Sequence, residues 1–500
     1  MRPTLAGRTL RSVGNVTDHL SEWDESLLKA GSGKLVSAAA ARLAVEIEMA
    51  HSNDKRHPHM SHATDLERST IRKMGISLIP FLMLCYFIAY VDRVNIGFAA
   101  ISMNDDIGLT ASTFGFGATL FFVAYVLCEM PSNLAMERFG ARRWIARIMI
   151  SWGVVGFCSA FVVGPWSYFL SRFLLGAAEA GFFPGVILYL TQCFPKAYMA
   201  RIVALFMVAI PLSNFVGSPL SAVLLKLDGS AGFHGWQWLL MLEAVPAIVL
   251  GLLALVVLSD RPAAARWLTP EERDWLDSTL RAERAEREAE AVHGLPQGAA
   301  GVLKAVLCNK YIWILTLIYM GSSATSNTLS LWMPQILKSF HLSDMQTGLL
   351  AMIPFGIAAC FMVFWGLRAD KSGERIKSTA IPLAVTAVSF AATLFTDSLA
   401  ITLVLLTLVL VGNYAIKGPF WALCSETLPP AVLAIGIAAI NTFAHLGTGL
   451  MSSVIGVLRD HTGSFPQALL PLCGLTAAGS LLVFLVGKHN RNTVPVAVSG

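Results

Sequence analysis

The run Phe81-Leu-Met-Leu-Cys-Tyr-Phe-Ile-Ala-Tyr90-Val-Asp92-Arg93-Val-Asn95-Ile-Gly-Phe-Ala-Ala-Ile101 decides the fold class. It is long enough to cross a bilayer, yet it holds an acid and a base side by side at its middle. Ionisable groups at membrane depth are costly. A helix keeps them when they face a wet cavity or a partner and serve something that moves through it. Transport is therefore the first reading.

Composition points the same way. Of the 500 residues 55% are hydrophobic and only 14% charged, with a mean hydropathy of +0.62, outside the range of soluble domains. A window of about 19 residues finds apolar spans near 74–99, 113–136, 145–163, 166–190, 201–226, 236–258, 311–335, 345–366, 378–396, 398–424, 432–457 and 465–487. The third and ninth are parted from their successors only by Gly164-Pro165-Trp166 and Thr396-Asp397-Ser398. The expected fold is an all-α membrane protein with twelve transmembrane helices in two six-helix halves.

The loops set the orientation. Those after even-numbered spans, the central one included, carry eighteen Lys and Arg residues against three (Lys226, Lys338 and Arg459) after odd-numbered spans. By the positive-inside rule both termini and the central loop face the cytoplasm, with the chain multi-pass in the inner (plasma) membrane. The net charge of +5 follows from this anchoring and implies no nucleic acid. The eight cysteines stand singly, without a CxxC pair, and read as apolar packing residues with neither disulfide nor metal site. No HExxH, GxSxG or phosphate-loop pattern occurs, so no enzyme, cofactor or ATP-driven pump is expected.

Five segments follow: a cytoplasmic tail over 1–72, expected to be disordered; a first half over 73–259; a linker over 260–306; a second half over 307–488; and a short tail over 489–500. Residues 1–72 do not resemble a signal peptide, and Met60 is an alternative start to Met1. His51, His57, His59 and His62 read as part of a solvated tail. In the linker, Thr269-Pro270-Glu271-Glu272 is a capping box with proline at the first helical position. It predicts a cytoplasmic amphipathic helix over 270–290.

The halves carry an internal repeat. After the second span stands Asn133-Leu-Ala-Met-Glu137-Arg138-Phe-Gly140-Ala-Arg142-Arg143. After the eighth, 233 residues on, stands Gly366-Leu-Arg-Ala-Asp370-Lys371-Ser-Gly373-Glu-Arg375. An acid at one helix end can pair with a base or a helix terminus on its neighbour, the glycine permits a tight turn, and the pair can break when the halves tilt. These residues are the expected gate, together with Glu129, one turn before Asn133. One copy alone would read as a solvated basic loop; two at equivalent places do not.

Arg172 and Glu179, seven residues apart, share one face of the fourth span. With Asp92 and Arg93 they place two acids and two arginines in what should be a common cavity of the first half. A structural ion-pair network is the plain alternative. Against it stand the planar guanidinium fork, which suits a carboxylate, and the ease with which a desolvated acid takes a proton. Tyr90 and Tyr125 either donate to a substrate or pack the bundle. Asn441 and His445, one turn apart on the eleventh span, either face substrate or serve packing. Lys417, ahead of Gly418-Pro419 inside the tenth span, either lines the cavity or snorkels to the headgroups.

The repeated loop motif resembles that of the major facilitator superfamily; the second copy matches fully, while the first has Asn133 and Glu137 where glycine and aspartate are commoner. More narrowly, Tyr90 to Asn95 and the stretch Arg172 to Pro184 are similar to the anion:cation symporter family. Gly140 to Trp152 and Ala200 to Pro211 look most like its bacterial tartrate-transporter branch, beside aromatic-acid, nicotinate and sugar-acid permeases. The resemblance covers about 72–488 and implies alternating access. It further implies Asp92 and Glu179 as proton-coupling acids and Arg93 as a substrate arginine, with Arg172 beside it. His445 stands where such relatives often have asparagine.

The expectation is proton-coupled uptake of a small organic carboxylate, tartrate or a related hydroxy acid, by a monomer in the lipid bilayer. Once Asp92 and Glu179 take protons, Arg93 and Arg172 can bind the anion. Any net positive charge carried inward is driven by roughly 2.3 kcal/mol per 100 mV. The rivals are an exchanger or uniporter of another acid, such as nicotinate, hydroxyphenylacetate or a sugar acid, and a non-transporting membrane sensor. Uptake into proteoliposomes under an imposed proton gradient separates them: the symporter accumulates its anion, the exchanger only swaps it, and the sensor does neither.

Overall fold

The computed structural model describes residues 61–259, 267–294, 301, 304 and 306–493. The chain divides into two compact units, Met1–Leu66 and Glu67–Gly500; of the first, the described residues 61–66 are helical. The expected tail over 1–60, its histidines at 51, 57 and 59, the choice between Met1 and Met60, and the stretches 260–266, 295–300 and 494–500 lie outside the described residues.

All regular structure among the described residues is helical. The chain runs through α1 (Ser61–Ile107), α2 (Ala111–Phe139), α3 (Ala141–Cys158), α4 (Pro165–Glu179), α5 (Phe182–Cys193), α6 (Lys196–Met207), α7 (Ala209–Leu224) and α8 (Gly235–Val257). It continues through α9 (Pro270–Gly294), α10 (Lys310–Lys338), α11 (Asp344–Ser372), α12 (Arg375–Ala392), α13 (Leu399–Ala415), α14 (Lys417–Thr427), α15 (Pro430–Thr462), α16 (Phe465–Ala468) and α17 (Leu470–Thr493). Ten stretches are long and apolar enough to cross a membrane. With α10 and α15, which carry the polar runs Gly321-Ser-Ser-Ala-Thr-Ser-Asn327 and Asn441 to His445, they make twelve spans in two sets of six.

The expected spans fall on these helices, with broken pairs where sequence analysis drew single segments: α4 with α5, α6 with α7, and α13 with α14. Residues 61–72, which sequence assigns to a tail, are instead helical and open the 47-residue α1. The third and ninth spans end in single 3-10 turns, at Ser159–Phe161 and Thr393–Phe395.

The outer surface is apolar, with Val163, Trp166, Val256 and Phe395 82–88% exposed, as a lipid-facing wall requires. Inside each half, α3 packs on α8 and α12 on α17. The halves meet where α2 lies along α15 and α7 along α11.

The cross-half contacts gather toward the end that bears the 108–110, 225–234, 339–343 and 463–469 connections, here called the far end; the repeated motifs lie at the other, motif end. At the far end the Asp460 carboxylate accepts the backbone N–H groups of Ala111 (3.0 Å) and Ser112 (2.8 Å). An acid of one half thus caps a helix N-terminus of the other, where the orphan donors and the helix dipole favour an anion. Thr119 bonds Ser453 at 2.5 Å and the Gly449 carbonyl at 2.6 Å. Ser330 donates to Asn214 at 2.9 Å. Gly456 lies so close to the Ala111 carbonyl that a Cβ there would strike it. Small residues let two backbones approach where no hydrophobic force holds helices together.

The linker helix α9 docks on the first half. The capping box forms, with Glu272 Oε2 accepting the Thr269 N–H at 2.9 Å and Thr269 Oγ1 accepting the Glu272 N–H at 3.3 Å. The same carboxylate accepts from Lys73 Nζ at 2.7 Å and Ser69 Oγ at 2.7 Å on α1. Burial alone would raise the Glu272 pKa, but the hydrogen bonds from Lys73, the Thr269 backbone and Ser69 outweigh it and hold the carboxyl at about 2. A depressed folded value stabilises docking above the usual glutamate range, near 4.3. That contribution is lost as pH falls towards 2. Hydrogen exchange of α9 should therefore stay slow at pH 5. In Glu272→Gln its protection, relative to an unstructured chain at the same pH, should fall at pH 5 to the level the parent shows only in stronger acid; unchanged protection in that variant would refute the latch.

Candidate functional site

Arg93 projects from α1 towards α4, where its Nη2 and Nε lie 2.5 and 2.8 Å from the same oxygen, Glu179 Oε1. The two side chains are 17% and 5% exposed. The guanidinium is walled by rings, its carbon 5.0 Å from the centroid of Tyr90 and 5.6 Å from those of Phe121 and Tyr125. Such stacking suits the weakly hydrated, planar arginine better than it would suit lysine.

Two glycines fix this encounter. Glu179 is the last residue of α4; Gly181 then takes φ +84°, and α5 restarts at Phe182. A Cβ at Gly181 would collide with Ser132 of α2, and one at Gly176 with the backbone of Phe121. A larger residue at either place would push α4 off α2 and carry Glu179 away from Arg93.

Asp92 takes another direction. Neighbours on a helix point about 100° apart, and Asp92 turns to α3, where Trp152 Nε1 donates to Oδ2 at 2.5 Å. Its Oδ1 lies 3.5 Å from Asn95 Nδ2. Beside it, and not singled out from sequence, Glu243 of α8 is 4% exposed. Its Oε1 accepts from Ser221 Oγ at 2.9 Å, and Asp92 is within electrostatic reach. The signal was there to read: Glu243 is the single acid within the span 236–258.

Arg172 is buried against Tyr168, its guanidinium carbon 5.6 Å from the ring centroid. Asp92 and Glu179 lie within electrostatic reach of it, but it forms no ion pair with a described residue, and its Nε has no hydrogen-bond partner. No hydrogen bond or ion pair joins it to Arg93 or Glu179 among the described residues.

Side chains of the second half come up against this cluster. The His445 ring of α15 stacks on Phe122 at 5.7 Å and meets Tyr125 at 5.7 Å. Its Nδ1 is buried without a hydrogen-bond partner, and both Arg93 and Lys417 are within electrostatic reach. The chain breaks at Ile416, between α13 and α14, as the Lys417-Gly-Pro sequence suggests. Asn441 is half-buried, and no hydrogen bond ties it to a described residue. Glu129 is half-buried and within electrostatic reach of Arg93.

The two motif copies differ. In the second, Arg375 pairs with Asp370 at 2.8 Å and with Glu426 at 3.4 Å, tying α11, α12 and α14. Gly373 turns the chain at φ +66°, while Gly366 and Lys371 face outward. In the first, Gly140 takes φ +88° and Arg138 lies over Phe139, but Glu137 is exposed and pairs with no described residue. A cavity of about 440 Å³ lies there, lined by Glu137, Arg138, Gly140, Leu188 and Gln192 among others. It belongs to the motif end, remote from the charged centre. No cluster of metal-ligand type occurs among the described residues.

Comparison with known proteins agrees with this architecture. A profile of the Major Facilitator Superfamily matches residues 82–452. Two proteins of Agrobacterium vitis, each named "Putative tartrate transporter", are 44% and 43% identical, over 86% and 85% of this chain and 94% and 96% of their own lengths. Among solved structures, that of a D-xylose-proton symporter superposes with a TM-score of 0.63 at 17% identity, covering 83% of this chain and 97% of that one.

A buried pair with one partner removed leaves an uncompensated charge, and the cost is commonly 3–5 kcal/mol. Because Arg93 keeps some exposure, Glu179→Leu should cost about 3 kcal/mol, at the low end of that range. Adding Arg93→Met should restore most of the loss. Thermal unfolding in detergent checks this; a double variant no better than the single one would mean that the two charges do not depend on each other.

Proposed function

The chain belongs to the Major Facilitator Superfamily, and from that premise we propose that it is a proton-coupled importer of a small organic carboxylate. The observation that carries the reading is the Arg93–Glu179 pair, enclosed by rings yet partly accessible and facing His445 of the other half. The names of the Agrobacterium relatives favour tartrate or a related hydroxy acid as the anion.

The cycle runs on a choice of partner. While Glu179 is charged it occupies Arg93, and the site has little to offer an anion. A proton on Glu179 removes that claim, and the guanidinium fork becomes free for the substrate carboxylate, with the Tyr90 and Tyr125 rings as walls and hydroxyl donors. Asp92 is the second proton site of the scheme. Arg172, within reach of both acids, registers the charge on each, and so acts on the substrate through them. Asn441 and His445 meet the substrate from the second half, so that a bound anion draws the halves together.

Alternating access then exchanges the seams. The far end is shut here by Asp460, Thr119 and the small residues of α15. With eighteen basic loop residues to three in favour of a cytoplasmic motif end, this arrangement is the one that serves release to the cytoplasm. In the opposite arrangement Glu137, unpaired now, takes a basic or helix-terminal partner, and the Asp370–Arg375–Glu426 cluster holds its side of the gate. The same loop bias puts both termini in the cytoplasm, and the monomer contains every element of the site.

Glu179→Gln, in which the pair is permanently neutral on the acid side, should retain substrate counterflow in proteoliposomes and lose accumulation driven by a proton gradient by tenfold or more. Full proton-driven accumulation in that variant would remove Glu179 from the coupling.

A further inference from the structure

Lys417 is a cation without a counter-ion. Its Nζ lies 3.2 Å from Ser326 Oγ, which accepts from Asn413 Nδ2 at 2.7 Å and donates to the Ser322 carbonyl at 2.9 Å. It also lies 5.8 and 5.6 Å from the ring centroids of Tyr319 and Tyr414. No carboxylate pairs with it among the described residues. The Tyr414 hydroxyl, on a residue only 1% exposed, has no hydrogen-bond partner. A half-buried lysine and an idle, buried hydroxyl donor at membrane depth are the chemical complement of a carboxylate, since a charge at such depth is favoured by a compensating one.

This group shares neighbours with Arg93. His445 is within electrostatic reach of both Arg93 and Lys417. Tyr90, stacked on Arg93, is within reach of Tyr319 and Tyr414, the two rings around Lys417. Once Glu179 is protonated, the first half therefore offers Arg93 and the second half Lys417, and a single carboxylate would answer only one of these two.

Resting on the transport reading above, we infer that Lys417 and the Tyr414 hydroxyl form a second carboxylate subsite, so that the substrate is a short dicarboxylate, its two ends held by opposite halves. The bridge explains why such an anion would close the chamber: each half supplies one charge, and the ligand satisfies both only when they converge. A snorkelling lysine would instead be hydrated at the headgroups and have no use for the rings of Tyr319 and Tyr414.

The test compares two acids that share a hydroxylated body, tartrate with two carboxylates and glycerate with one, by calorimetric titration of purified protein at mildly acidic pH. Lys417→Gln should weaken tartrate by about tenfold or more, the weight of a lost charge-assisted hydrogen bond. It should leave glycerate within about twofold, below the effect of one such bond. Lys417→Arg should keep most of the tartrate affinity, and Tyr414→Phe, which removes one oxygen and no charge, should show a smaller but equally selective loss. Equal weakening of both acids, or undiminished tartrate binding in Lys417→Gln, would overturn the subsite while leaving carboxylate transport standing. A parent protein that binds neither acid would overturn both.

Discussion

Arg93 and Glu179 sit where water is scarce, so neither charge can be left alone. The guanidinium must always have an anion, and while the carboxylate is ionised it must always have a cation. Their mutual contact satisfies both, through two N–H groups converging on a single oxygen. The contact is also replaceable, because the arginine still has fork donors to offer and the site keeps an opening. A proton and a carboxylate can enter together in place of the pair without leaving a bare charge. A proton alone would strand the arginine, and an anion alone would crowd a second negative charge beside Glu179. Coupling, on this view, follows from electroneutrality in a low dielectric.

The rest of the fold supports that choice. Gly176 and Gly181 hold α4 close to α2 and end it at Glu179, so the acid sits on a helix terminus aimed at α1. Asp460, Thr119 and the glycines of α15 shut the far end with contacts that are polar, small and separable. The edge-to-face contact of Phe114 with Trp332 adds an apolar element to this seam, whereas the interior of the first half is closed around fully buried aromatics such as Trp152 and Trp236. Rigid halves with a weak, specific seam between them are what alternating access needs.

Much of this was legible in the chain. Hydropathy gave the spans, because the bilayer imposes length and apolarity on each of them separately. The acid–base residues of α1 and α4 stood out because charge at that depth is rare. What escaped was whatever depended on direction or on a distant partner. Asp92 and Arg93 look like one unit in sequence, yet the helical rotation sends one to Trp152 and the other to Glu179. Glu243 was as legible as these, the single acid of its span, but no motif drew attention to it and only the fold brings it beside Asp92. Asp460 belongs to no motif, and only its contact with Ala111 and Ser112, more than 340 residues away in sequence, reveals a cap. The polar residues 61–72 gave no membrane signal, and their helix is instead secured by Lys73 and Ser69 meeting the linker at Glu272.

Proton exchange on binding tests the central claim most directly. When a carboxylate ligand, tartrate for instance, is added to unbuffered, detergent-solubilised protein near neutral pH, the medium should turn alkaline as about one proton or more is taken up per anion bound, and Glu179→Gln should take up correspondingly fewer. Tight binding of the anion with no change in proton occupancy, alike in the parent and in Glu179→Gln, would contradict the exchange of partners at Arg93.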